Sequence, residues 1–395
     1  MRYMNSKHFF TFVFLLVLLA PSFSYAKGLE VSGWIPYWRD SQGIEDVEEH
    51  IRDIDTVFPF VYTIKSDGSL KDNAGLDERE WQQFFKTAQR KNVEVIPTIM
   101  TGDGELVHTL LSNDLYRMLH VLQIALMVEA GGFDGVDIDY EGKKSDTYEY
   151  FGTFLKELKG VLGKKTLSCT LEARTPPDSL WREVPETINY ANDYEAIDKY
   201  CDRIQLMAYD QQRADIKLNN ERKGEPYMPV ADPDWVEKVI KLALESFDED
   251  KVVLGIPTYG HNYFLRVEPE WYKEYTRIGA LNVPDILDLA DEYDVEPSRN
   301  QAGEMSFTYI HKDSSFKFPR NVRAPRGTSD GNEVAARALA YANKTGEGVT
   351  IRLVWYSDAK AIRDKIELAE QYNLKGVALF KFDGEEDQKV WRYLR

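Results

Sequence analysis

Apolar residues recur along this chain in two alternating rhythms. Runs of strand length, dense in Val, Ile, Phe and Tyr, are separated by stretches whose apolar positions repeat every three or four residues. Eight such runs stand out, at 31–37, 56–62, 93–99, 135–140, 166–171, 203–208, 252–257 and 376–380. Between them, 78–90, 115–129, 147–162 and 234–246 carry the helical period at ordinary helix length. Strand and helix alternating in this order is the pattern of βα units around a parallel sheet. Eight units predict an α/β fold, a (β/α)8 TIM barrel.

The spacing breaks once. The interval between the seventh and eighth strands is far longer than one crossover needs. Part of it, 264–345, has its own helical stretch at 284–293 and strand run at 305–310, so we expect a small α+β insertion there. The barrel is then expected to resume through 349–355 and a helix at 359–372. The predicted organisation is a leader at 1–26, a barrel formed by 27–263 and 346–395, and the insertion at 264–345.

The leader is read from Arg2 and Lys7 ahead of the apolar run 9–20, with Ser24 and Ala26 as small residues before Lys27. Its apolar run is shorter than the roughly 20 residues that span a bilayer, so cleavage and export are expected rather than anchoring, with no stable membrane span afterwards. Composition adds that 395 residues, 43% hydrophobic and 13% aromatic, supply a sizeable core. A formal net charge of −17 without a basic block excludes nucleic acid as a partner and favours a neutral or cationic substrate. Cys169 and Cys201 lie in apolar, strand-like surroundings and are expected to be buried and free. The six histidines show no metal-ligand spacing, so neither metal nor cofactor is anticipated. The protein is expected to act as a monomer.

Against this background the fourth strand is anomalous. The stretch FDGVDIDYEG, residues 133–142, brings four acidic side chains into a strand. Side chains alternate between faces, so Val136, Ile138 and Tyr140 point one way and Asp137, Asp139 and Glu141 the other, neighbouring carboxylates lying roughly 6.5 to 7 Å apart. An EF-hand loop opens similarly, but here Glu141 stands at its fifth position, Tyr148 at its twelfth, and the flanks have strand character. A hard-cation site wants ligands converging from several strands. An idle acidic strand is hard to reconcile with the apolar alternation and with Gly131 and Gly132. Acid catalysis remains: carboxylates this close titrate as a coupled set, and a raised pKa keeps the outermost, Glu141, protonated as a general acid requires. In a barrel, the end of a strand is where such a group faces the active site.

The motif D-x-x-D-x-D-x-E is intact as Asp134, Asp137, Asp139 and Glu141, and so resembles the signature of family 18 glycoside hydrolases, the chitinase-like barrel enzymes. QLMAYD, 205–210, resembles the family's sixth-strand M-x-Y-D with Met207, Tyr209 and Asp210, and parity puts Gln205, Met207 and Tyr209 on one face, with Leu206 and Ala208 on the other. The insertion and the segment 354–380 also resemble the family's. GWIPYW and VIPTI look closer to bacterial members that act on cell-wall glycan. Two positions differ from many members: the third strand ends in Thr98, Ile99, Met100, Thr101 instead of S-x-G-G, leaving Thr98 to supply the hydroxyl, and the usual tryptophan floor falls at Phe380.

The resemblance implies a retaining, substrate-assisted glycosidase that needs one catalytic carboxyl, because the substrate's own acetamido oxygen attacks the anomeric carbon. Carried over by position, Glu141 is the acid and base, Asp139 holds the acetamido N–H, Asp137 shares a proton with Asp139, and Tyr209 donates to the acetamido oxygen. Asp210 and Met207 bind the same sugar, and Asp134 is structural. The implied substrate is an N-acetylglucosamine-containing oligosaccharide or polysaccharide, chitin oligosaccharide or peptidoglycan. Trp34 and Tyr259 are the foremost candidates for sugar-stacking surfaces, with Tyr37, Trp38 and Trp355 behind them. A sugar-binding lectin on the same barrel is the alternative from another class, although such relatives tend to lose the acid glutamate that this chain keeps.

Overall fold

The computed structural model describes residues 28–394, so the expected leader at 1–26 lies outside the described residues. Eight parallel strands close into a barrel. In chain order they are Glu30–Pro36, Thr56–Ile64, a third strand in two pieces, Glu94–Val95 and Thr98–Thr101, then Gly135–Tyr140, Thr166–Glu172, Arg203–Met207, Val252–Pro257 and Gly376–Phe380. Closure is made by the first strand, which pairs in parallel with the eighth (Glu30 opposite Gly376) and with the second (Ser32 opposite Thr56). The third strand is interrupted where Pro97, which has no N–H to give, follows Ile96. The second strand continues into a hairpin with Leu70–Asp72, which the sequence pattern does not single out.

The expected helices are present as Arg79–Lys91, Asp114–Gly131, Tyr148–Leu162 and Pro233–Ala243, close to their anticipated bounds. They form because each presents an apolar stripe to the sheet. In the fourth strand Val136, Ile138 and Tyr140 pack outward into this layer, together with Ile124, Phe151 and Phe154. A second apolar cluster of Trp34, Phe58, Phe60, Ile96, Val253 and Ala378, with Met100 and Phe380 against it, forms apart from that layer, on the opposite faces of the strands. Full burial of large apolar side chains, at about 1.5–3 kcal/mol each, is what drives both layers together.

Two expectations are corrected. The run at 349–355 does not resume the barrel. It is the strand Val349–Tyr356, central in a five-stranded antiparallel sheet of order Trp271–Leu281, Gly260–Glu268, Val349–Tyr356, Met305–Tyr309, Ser298–Arg299. The barrel is rejoined only at Gly376, after the helix Ala359–Gln371. This sheet is covered on both faces: Val354 and Tyr356 pack on the helix Val283–Glu292, while Ile351 and Leu353 point to the side of the helix Glu333–Thr345. Cys169 and Cys201 are not free but joined in a disulfide, with Cα atoms 6.1 Å apart. It ties the fifth strand to the segment entering the sixth.

A buried carboxyl group, that of Glu304, is one of the links between the inserted sheet and the barrel. Glu304 accepts hydrogen bonds from Trp355 Nε1 at 2.6 Å and Ser357 Oγ at 3.1 Å, and from the backbone N–H groups of Val230 and Ala231 at 2.9 and 3.1 Å. This holds the loop after the sixth strand, where Asp210 and Gln211 lie.

Candidate active site

A cavity of about 370 Å³ opens beside the strand ends and is lined by residues of seven of the eight strands or their following loops, Phe60 coming from the second. Asp139 and Glu141 come from the fourth strand and its end, Thr170 and Glu172 from the fifth, Met207, Tyr209 and Asp210 from the sixth. Tyr259 follows the seventh, Trp34 comes from the first and Phe380 ends the eighth. The structure thus brings together eight of the residues singled out by sequence.

The acidic face is graded by depth. Asp137 is fully buried, and its carboxylate accepts from Thr98 Oγ1 at 2.9 Å and from Thr170 Oγ1 at 2.9 Å. Thr98 is itself fully buried beneath the cavity and does not line it, so its hydroxyl serves Asp137 rather than facing a ligand. Burial raises the Asp137 pKa and these hydroxyl donors pull it back. Asp139, only 2% exposed, lies above it with Oδ1 lacking a hydrogen-bond partner among the described residues. Burial, then the charges of Glu141 and Asp137, hold its carboxyl well above the usual range. Glu141 at the rim is raised by burial, then by Glu172 and Asp210, with Lys143 opposing. The sequence points to the outermost group as the proton holder; the stronger upward push falls on Asp139, which is sandwiched between two carboxyls and shut off from water.

Two residues at this edge are absent from the sequence reading. Glu172 ends the fifth strand, lines the cavity and accepts from the backbone N–H of Gly142 at 2.8 Å. Its parity with Ser168 and Thr170, which face Asp137, was the available signal. Lys143 is buried, donates to the Tyr140 carbonyl and sits 4.7 Å over the Phe151 ring. Burial lowers its pKa while Glu172, Asp139 and Glu141 counteract.

Across the cavity, Asp210 adopts a left-handed backbone conformation, φ 53°, three residues beyond the end of the sixth strand. Such a conformation costs a non-glycine residue about 1–3 kcal/mol and persists only where surroundings impose it. They do so here: Asp210 Oδ1 accepts from Tyr259 OH at 2.9 Å and lies 2.6 Å from His261 Nε2. Burial opposes ionisation of Asp210, but His261, Tyr259 and Arg277 outweigh it and hold the pKa below the usual value. Burial and the charges of Asp139, Asp210 and Glu141 keep the Tyr209 phenol protonated, hence a hydrogen-bond donor. Gln205 and Met207 share the Tyr209 face as parity predicts, whereas Leu206 and Ala208 join the outer core.

The aromatic floor is composite. Phe380 stacks 5.8 Å from Tyr209 and meets Trp34 edge-on at 5.7 Å, with Phe60 and Tyr259 beside it. Tyr37 and Trp38 are exposed and do not line the cavity, and Trp355 is committed to Glu304. Asp134 accepts from the backbone N–H of Val95 at 2.8 Å and splices the third strand to the fourth. Among the described residues no group of three or more His, Cys, Asp or Glu side chains is placed to hold a metal ion. The arrangement offers a proton donor at the rim, a buried acceptor below it, a phenolic donor opposite and an aromatic floor.

Comparison with known proteins gives this arrangement a lineage. The glycosylase YvbX of Bacillus subtilis (strain 168), itself uncharacterized, is 22% identical over 294 residues, 74% of this chain and 70% of its own length. The cortical fragment-lytic enzyme of the same organism is 22% identical over 285 residues, 70% of this chain but only 53% of the relative. Among solved structures, the Bacillus cereus spore cortex-lytic enzyme SleL superimposes with a TM-score of 0.66 at 18% identity, covering 93% of this chain and 74% of that one. A chitinase from Chromobacterium violaceum does so with a TM-score of 0.66 at 19% identity, covering 93% and 98%. At such identities the likeness to these structures establishes the fold alone. The family model for glycosyl hydrolases family 18 matches residues 34–385, from the Trp34 of the cavity floor to beyond its Phe380. The chain therefore belongs to glycosyl hydrolases family 18 and is a glycoside hydrolase acting on glycans that contain N-acetylglucosamine.

Proposed function

We propose that the protein is a retaining enzyme that cleaves β-1,4 bonds following N-acetylglucosamine in bacterial cell-wall glycan, using the substrate's acetamido group as the nucleophile. The observation that carries this reading is the convergence of Glu141, Asp139 and Tyr209 on one cavity above an aromatic floor, the constellation that a substrate-assisted reaction uses. The sugar face stacks on Phe380 and Trp34. Its acetamido N–H donates to Asp139, and its acetamido oxygen accepts from Tyr209.

A donor pointed at Asp139 favours the ionised form of that carboxyl and leaves the shared proton on Glu141. Glu141 then delivers the proton to the glycosidic oxygen as the C1–O bond breaks, and the acetamido oxygen closes on C1. The resulting cyclic cation is stabilised by ionised Asp139, beneath which Asp137 is held by Thr98 and Thr170. Water, deprotonated by the Glu141 carboxylate, attacks C1 from the face the leaving group vacated and reopens the ring. Configuration is retained and the proton returns to Glu141. Asp210, kept ionised by His261 and Tyr259, accepts from a hydroxyl of the same sugar.

Wall glycan is favoured over polymeric chitin by two features. The first-strand and third-strand segments GWIPYW and VIPTI have the bacterial wall-type character, and relatives named as cortical fragment-lytic and spore cortex-lytic enzymes align with most of the chain. The expected leader would export the protein to the side of the membrane where wall glycan lies. Incubation of purified protein with peptidoglycan fragments and with chitin oligosaccharides tests this. New reducing ends from peptidoglycan fragments at the higher kcat/KM are expected, and faster cleavage of chitin oligosaccharides would reassign the substrate.

A further inference from the structure

The helix Asp114–Gly131 is apolar on both of its sides. Arg117, His120, Val121, Ile124 and Val128 face the barrel and are buried. On the opposite side Leu115, Leu119, Leu122 and Leu126 are 55%, 52%, 45% and 69% exposed, flanked by Tyr116 and Met118 at 52% and 47%. A helix apolar all round is one that is covered all round. Together these six side chains leave about 600 Å² of apolar surface in one patch, at the upper edge of what an ordinary monomer shows. Beside them runs a groove of about 910 Å³, walled by Leu106 and Leu110 and by the hairpin tip around Gly68.

The spacing of the four leucines identifies what fits. Steps of four, three and four residues, 115 to 119 to 122 to 126, are the seam of a coiled coil, which accepts another helix bearing the same seam. Run antiparallel about a two-fold axis, the seam complements itself: Leu119 meets Leu122 of the second copy, and Leu115 meets its Leu126. Two copies would bury about 1,200 Å², which reaches the size of a specific interface. A membrane surface fits less well. Lipid-binding helices carry a Lys- and Arg-rich polar face, whereas here the other face is core and the helix ends carry Asp114 and Glu129. Among the described residues no helix is long and apolar enough to cross a membrane.

We propose that the protein forms a two-fold symmetric dimer through an antiparallel pairing of the Asp114–Gly131 helices, in place of the monomer expected from sequence. Light scattering coupled to size exclusion on the purified protein should give twice the mass of one chain, falling towards one chain on dilution. Leu126→Arg, at the most exposed position, should weaken the dimer at least tenfold without disturbing the core. Leu119→Glu with Leu122→Glu, and separately Leu119→Lys with Leu122→Lys, should each be monomeric, and mixing the two should restore a dimer, a rescue that misfolded chains would not show. A wild-type monomer at high micromolar concentration overturns the proposal, as does a dimer indifferent to these substitutions. So does a monomer that sediments with vesicles of phosphatidylcholine and phosphatidylglycerol.

Discussion

Glu172 holds the backbone N–H of Gly142, the residue directly after Glu141, at 2.8 Å. The bond fixes the chain at the point where the acid side chain leaves the fourth strand, and it brings a second negative charge to the rim. After burial, that charge is the foremost reason the Glu141 pKa is raised.

Replacing Glu172 separates these two effects. Glu172→Gln keeps an oxygen acceptor for Gly142 and removes the charge, so Glu141 loses its proton at lower pH. The alkaline limb of kcat/KM should therefore move to lower pH, with the acidic plateau within about threefold of wild type. Glu172→Ala removes the acceptor too and should also depress the plateau. An unshifted alkaline limb in the Gln variant would remove Glu172 from the account.

Glu141→Gln removes the transferable proton while preserving shape. Turnover should fall by about 10²–10⁴ with affinity for an uncleaved oligosaccharide nearly unchanged, as measured by calorimetry beside initial rates. Parallel losses in binding and turnover would instead indicate a site that has lost its structure.

Away from the cavity, Asp46 and Glu386 form a buried carboxyl pair, and burial followed by the charge of Glu386 raises Asp46 to about 8. The folded state therefore holds a proton that the unfolded chain releases near its ordinary value of 3.8. Stability contributed by this proton is complete below the unfolded value, declines as pH rises, and is lost on passing the folded value of about 8. Urea midpoints recorded across this range should fall with pH, and Asp46→Asn should flatten the slope. A wild-type profile that rises throughout would contradict the pairing.

The disulfide closes a loop with a sequence separation of 32. By chain entropy its removal should cost about 3–4 kcal/mol. Cys169→Ala with Cys201→Ala should lower the urea midpoint accordingly, and kcat at low temperature should be unaffected because both positions lie in the outer core. Wild-type stability in the double variant would argue that the bridge contributes nothing.

What sequence reveals here follows from the period of the signal. The fourth strand was legible because alternation of two assigns each side chain to a face, and Asp137, Asp139 and Glu141 lie on the predicted one. Thr98 shows the limit: a hydroxyl at a strand end reads the same whether it faces a ligand or, as here, the underside of Asp137. The strand Val349–Tyr356 was misplaced because an apolar run followed by a helix looks identical in a βα unit and in an inserted sheet. Only its pairing with Gly260–Glu268 and Met305–Tyr309 distinguishes them. The cysteine bridge was equally hidden, since neighbouring strands, not local sequence, bring the two residues together. The Asp46–Glu386 pair joins the helix Asp40–His50 to the segment that follows the eighth strand, and no local pattern announces a contact at such separation.

The central claim is that the substrate's acetamido group is the nucleophile and Glu141 its acid partner. The most direct measurement compares initial rates on an aryl glycoside of N-acetylglucosamine with those on the same glycoside carrying a hydroxyl in place of the acetamido group. The account predicts cleavage of the first with retained configuration, and a loss of at least about 10³ on the second. Comparable rates on both would contradict it.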